Sequence, residues 1–229
     1  MEGEILIYNS DRYNVYYYPN KNEVEISYID DKKKFEATLY WEGNNLRSKG
    51  HIIIDLGPQE WSWSDEGDMP GLFWARIFEY FPNVPMVLEE IFNKTNITFE
   101  DFKQMLLRDI DGIVYHVTGD NETWEEYGGI FDQVNDYELE YIKDNYPEIY
   151  DIAIDVISTI NKNDVKDIIT NSVGKIIKQD IKNTTNVYDL EEILLFNWYS
   201  KYVEEASKTY NEILWNEIRK RANEKGINI

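Results

Sequence analysis

Apolar and polar side chains alternate through the first quarter of the chain. In EVEISYI (23–29), Val24, Ile26 and Tyr28 point one way and Glu23, Glu25 and Ser27 the other. KFEATLYWE (34–42) repeats the pattern, with Phe35, Ala37, Leu39 and Trp41 against Glu36, Thr38, Tyr40 and Glu42. A period of two marks a strand with one buried face. YNVYYY (13–18) and HIIIDL (51–56) are strand-like in their β-branched and aromatic content. Residues 3–8 predict an edge strand. Of Tyr16, Tyr17 and Tyr18, one is expected to point inward and two partly outward. Turn signals separate the runs: Pro19-Asn20-Lys21-Asn22, Asp30-Asp31-Lys32 and Gly43-Asn44-Asn45. Short connections between alternating strands predict an antiparallel meander with one face covered.

Beyond residue 70 the period lengthens. Helices are predicted over 71–81 and 86–93, and over 98–109, where Thr98 and Asp101 have capping-box spacing. GIVYHVT (112–118) reads as a strand. A helix follows over 131–144, and Pro147 opens a helical region that continues over 164–181 and 187–224. Residues 187–224 read as one long helix or two joined ones. Their apolar stripe is Leu190, Leu194, Trp198, Tyr202, Ala206, Tyr210, Leu214 and Ile218, a packing seam or a homodimer contact. The fold class is α+β: an N-terminal antiparallel β-meander, a mixed acidic middle region and a C-terminal helical region. The domain boundary is expected near 145, giving an acidic sheet-and-helix part (1–145) and a helical part (146–229).

Charge changes this picture more than size does. Acids number 44 and bases 23, a net charge of −21. Residues 61–144 hold 19 of the acids and only 5 of the bases, and both flanks have a near-balanced mixture. Charge added for solubility alone would be spread more evenly. A surface this acidic repels nucleic acid and anionic membranes and attracts basic partners. No run of apolar residues is long enough to span a bilayer. MEGEILIYNS lacks the basic and apolar segments of a signal peptide. Cysteine is absent, which removes disulfides and thiolate chemistry and suits a reducing compartment. The expected location is cytoplasmic, the host cytoplasm if the chain is phage-encoded.

Motifs for catalysis are sparse. His51 and His116 are the two histidines, and neither sits in a zinc or triad signature. His116 is expected to be a hydrogen-bonded structural residue in a strand. Neither phosphate-binding glycine motif occurs. DIDG (109–112) and DEGD (65–68) have fragments of oxygen-ligand metal loops without the twelve-residue ligand set. No catalytic residue, metal site or cofactor is expected.

The informative constellation is FDQVNDYELEYIKDNY (131–146). Asp132, Asp136, Glu140 and Asp144 recur every fourth residue, on a helix face about 120° wide. Val134, Tyr137 and Tyr141 are expected on the opposite, core side. Like charges at this spacing repel by a few tenths of a kcal/mol per pair, so stability alone does not favour them. They recur about every 6 Å along the axis, an anionic row that a phosphate-binding groove could accept. Trp61 and Trp63 beside Asp65, Glu66 and Asp68, and Trp124 beside Glu122, Glu125 and Glu126, combine aromatic anchors with steering charge. The competing reading makes Trp61 and Trp63 a lid over the sheet edge. The expectation is a non-enzymatic acidic inhibitor. It would bind a basic protein, a nuclease or other nucleic-acid-binding enzyme, and block its substrate channel, without touching nucleic acid or membrane itself. The expected class is a phage-encoded anti-defence factor (anti-CRISPR or anti-restriction) or an immunity protein against a nuclease toxin. The alternative is a hydrolase with a carboxylate pair acting on a glycan or similar substrate.

Overall fold

The computed structural model describes residues 3–55, 57–119 and 129–229. Six strands, β1 (Ile5–Asn9), β2 (Tyr13–Tyr18), β3 (Glu23–Ile29), β4 (Lys33–Glu42), β5 (Asn45–Asp55) and β6 (Glu60–Asp65), form one sheet in sequence order. Every neighbouring pair is antiparallel. The two-residue β4–β5 turn places Gly43 first at φ 61°, as hairpins of this length require. The alternation read from the sequence sets the buried face, where Val24, Ile26, Tyr28, Phe35, Ala37 and Leu39 are all buried. Tyr17 pairs with Val24 on that face, while Tyr16 and Tyr18 stand half-buried on the other. Gly50 lets α1 come close, because a Cβ there would lie 3.0 Å from the Phe73 ring and 2.1 Å from the Glu36 carbonyl oxygen. At the β1 edge a register shift between Leu6 and Tyr8, and the Lys94 ammonium 2.7 Å from the Ile7 carbonyl, blunt further strand pairing.

The helices are α1 (Pro70–Tyr80), α2 (Val84–Lys94), α3 (Phe99–Leu106), α4 (Ile110–Val117), α5 (Ile130–Asn145), α6 (Tyr150–Thr159), α7 (Lys162–Asn183), α8 (Val187–Leu194) and α9 (Lys201–Glu224). The Thr98–Asp101 capping box forms in full at the start of α3. The predicted strand at 112–118 is instead α4. A 3-10 turn, Leu107–Asp109, delivers the Asp109 carboxylate to the Gly112 N–H at 3.0 Å. Gly112 is needed there, since a Cβ would lie 2.4 Å from Asp109 Oδ2. Ile113, Val114 and Val117 then share a buried helical face. The segment 187–224 is two helices, parted at residues 195–200.

The chain divides into two compact units. The first runs to His116 and includes Lys178–Leu195; the second is Val117–Ile177 with Phe196–Ile229. The boundary expected at 145 falls inside the second. In the first unit α1 and α3 pack on the sheet and α8 packs on α1 and α2. Trp74 meets Phe102 edge-to-face at 4.9 Å, and Tyr28, Phe35 and Phe81 form a second aromatic cluster. In the second unit α5, α6 and α9 enclose Ile142, Ile149, Ile152, Ala153, Val156, Leu214, Ile218 and Ala222. Burying each of the larger side chains contributes roughly 1.5–3 kcal/mol. Leu190 and Leu194 are buried in the first unit and Tyr202, Ala206, Tyr210, Leu214 and Ile218 in the second. The stripe foreseen as a dimer contact is therefore largely covered by the chain itself, with Trp198 left half-exposed in the turn. Among the described residues no helix is long and apolar enough to cross a membrane.

Candidate functional site

The acidic and aromatic residues of 61–68 separate into different roles. β6 pairs Trp61 with Ile54 and Trp63 with Ile52, so both indoles take the covered face of the sheet. They stack on each other at 6.1 Å, and Trp63 stacks on Tyr80 at 5.9 Å. The Arg76 guanidinium lies 4.3 Å from the Trp63 ring. Both tryptophans are half-buried on this edge strand of the sheet. Asp65 is 1% exposed. Its Oδ1 accepts the backbone N–H groups of Gly67, Asp68 and Met69 at 2.8–3.1 Å, and its Oδ2 accepts the Ser48 hydroxyl at 3.2 Å. It organises the turn into α1, and its burial removes it from any docking surface. Glu66 and Asp68 are exposed.

At the same helix start, the Asp109 carboxylate accepts the Leu72 N–H at 3.0 Å. Burial pushes this carboxyl above its ordinary range, against the pull of its backbone donors at Leu72, Gly112 and Gly71. α1 has no side-chain cap of its own. Asp65 and Asp109 supply that function from β6 and from the turn before α4.

In the second unit, α5 buries Phe131, Asn135, Glu138 and Ile142, a stripe with helical spacing. Asp136, Glu140 and Asp144 are exposed on the opposite side, and Asp132 is half-buried in the first turn. The four carboxylates thus share one face. The tyrosines expected in the core are not there: Tyr137 is 68% exposed and Tyr141 42%. The reason lies on α9. The Tyr210 hydroxyl donates to Asn135 Oδ1 at 2.7 Å, and Asn211 and Trp215 donate to the two Glu138 oxygens at 2.9 and 2.7 Å. These partners let α5 bury an amide and a carboxylate and turn its tyrosines outward. Tyr141 contacts Tyr146 and Trp215, with ring centroids 6.0 and 6.4 Å away. The adjoining Tyr146 hydroxyl raises the Tyr141 pKa.

Glu122, Trp124, Glu125 and Glu126 lie outside the described residues. His116 is buried on α4, with Nε2 2.7 Å from a Glu79 oxygen, an internal pairing within the first unit. Among the described residues no group of three or more histidine or carboxylate side chains is placed to hold a metal ion. Two adjacent clefts of about 360 and 420 Å³ share Arg12 at one end of the sheet. Hydrogen bonds tie Arg12 to Tyr28 and Asp30, and neither cleft is lined by tryptophan. No protein-family model, curated protein or solved structure matches the chain.

Proposed function

We propose that this chain is an acidic binding protein whose α5 face engages a basic partner, an enzyme that acts on nucleic acid, and obstructs its substrate channel. One observation carries the reading. Asp136, Glu140 and Asp144 are all exposed, and they line the side of α5 opposite Phe131 and Ile142. Such a row repels itself and weakens its own helix, so its persistence favours a cationic counterpart. Successive carboxylates recur about every 6 Å, near enough to phosphate spacing for a basic groove to accept them. The role is inhibition without catalysis, as in a phage anti-defence factor or an immunity protein against a nuclease toxin.

The test is a capture from lysate of the native host, repeated at low and moderate salt, with wild type and an Asp136→Lys/Glu140→Lys/Asp144→Lys variant. Asp132 is left in place because it is half-buried. The expected result is a basic nucleic-acid enzyme that wild type retains at low salt and inhibits when added back. The variant keeps its helical circular dichroism and loses both effects. Binding that persists in the variant, or that ignores salt, overturns the proposal.

A further inference from the structure

We infer that the exposed tyrosine ledge of α5, Tyr137 with Tyr141, is the docking surface for an arginine-rich segment of the basic partner. This inference rests on the acidic-face reading above and specifies the chemistry of its partner. Tyr137 exposes 68% of its surface and Tyr141 42%, in a unit that buries Tyr202 and Tyr210. Their four-residue spacing puts their Cβ atoms about 6 Å apart on one side of the helix. The ledge borders the carboxylate row, offset from Asp144 by a few tens of degrees around the axis.

Tyr141 is already held in place. Its ring packs against Tyr146 and Trp215, and the Trp215 indole is anchored 2.7 Å from Glu138 Oε2. Packed rings beside carboxylates suit a guanidinium, which stacks flat on an aromatic face while its edge donates to an acid. An ammonium has no flat face and gains less. The chain uses this pairing internally: Arg76 stacks on Trp63, and Arg219 lies 5.4 Å over Trp215. Lys143 is the one base in α5, against the four carboxylates Asp132, Asp136, Glu140 and Asp144. The charge balance therefore leaves room for added arginines.

The experiment titrates the full chain, by calorimetry at low salt, with an oligo-arginine and an oligo-lysine of equal length. Oligo-arginine is expected to bind about fivefold tighter or more, the scale of one or two exposed cation–π contacts. Tyr137→Ala, a change at an exposed position, should bring the oligo-arginine affinity toward that of oligo-lysine. Tyr137→Phe should retain the difference. Asp136→Asn/Glu140→Gln/Asp144→Asn should weaken both peptides alike. Equal affinities in wild type, or an arginine preference unchanged by Tyr137→Ala, overturn the ledge and leave the acidic-face reading standing. If neither peptide binds wild type, the ledge and the acidic face fall together.

Discussion

Asp65 and Asp109 carry negative charge into the first unit, where both hold the start of α1. Asp65 satisfies three backbone N–H groups and a serine hydroxyl. Asp65→Ala leaves those donors without their acceptor and should cost about 2–3 kcal/mol in chemical denaturation, near the upper end for a lost cap. Asp65→Asn keeps Oδ1 and should cost less. Asp109 behaves differently with pH. Its pKa in the fold is raised by burial, so the folded state binds a proton that the unfolded chain releases. Its contribution to stability is therefore fully present below the unfolded carboxyl pKa of about 3.9 and is lost as pH rises through the folded value. Asp109→Asn mimics the neutral acid. Its denaturation midpoint relative to wild type should rise across that window and level off above it; a constant difference would refute the assignment. Neither role was legible from composition. DEGD reads as surface charge or a metal-loop fragment, and only the turn of β6 into α1 shows that Asp65 faces backbone donors.

α5 shows how far periodicity reaches at the scale of an element. The four-residue spacing of Asp132, Asp136, Glu140 and Asp144 located the acidic face without help from tertiary structure. The opposite face was not legible, because Asn135 and Glu138 are buried by donors from Tyr210, Asn211 and Trp215, more than seventy residues on. α4 misled for a related reason. A short apolar run with a glycine fits strand and helix alike, and the Asp109 cap decides between them. β6 was the reverse case: EWSWSD alternates as a strand does, but its tryptophans and the acids that follow them read as a binding surface. β1 to β5 and the α3 capping box, which depend on neighbours in sequence, were read directly. Two predictions belong to α5. Glu138→Leu leaves Trp215 Nε1 and Asn211 Nδ2 without their acceptor and should destabilise the second unit by about 2–4 kcal/mol, with Glu138→Gln milder. Asp136→Asn/Glu140→Gln/Asp144→Asn should instead raise the unfolding free energy, by about 0.2–0.5 kcal/mol for each repulsive pair removed. Stability lost in that neutralised variant would mean that the row is structural.

For the whole molecule, the net charge of −21 makes two opposite demands on salt. Self-repulsion among exposed carboxylates opposes the compact state, and salt relieves it. The screening length shortens from about 30 Å at 0.01 M to about 8 Å at 0.15 M, so repulsion between exposed acids fades over that range. The isolated chain should therefore melt at a higher temperature, by a few degrees, at 0.15 M than at 0.01 M salt. Attraction to the proposed cationic partner fades over the same range, so the proposed complex should dissociate as the chain itself becomes more stable. Excess charge that served only solubility would give the first response without the second. The neutralised α5 variant separates the two further. It removes three of the 44 acids, so it should keep most of the melting shift while losing most of the salt-sensitive binding. Scanning calorimetry at the two salt concentrations, run beside the peptide titration, reads both quantities on one preparation. A variant that loses the melting shift but keeps the binding would place the functional charge elsewhere on the chain.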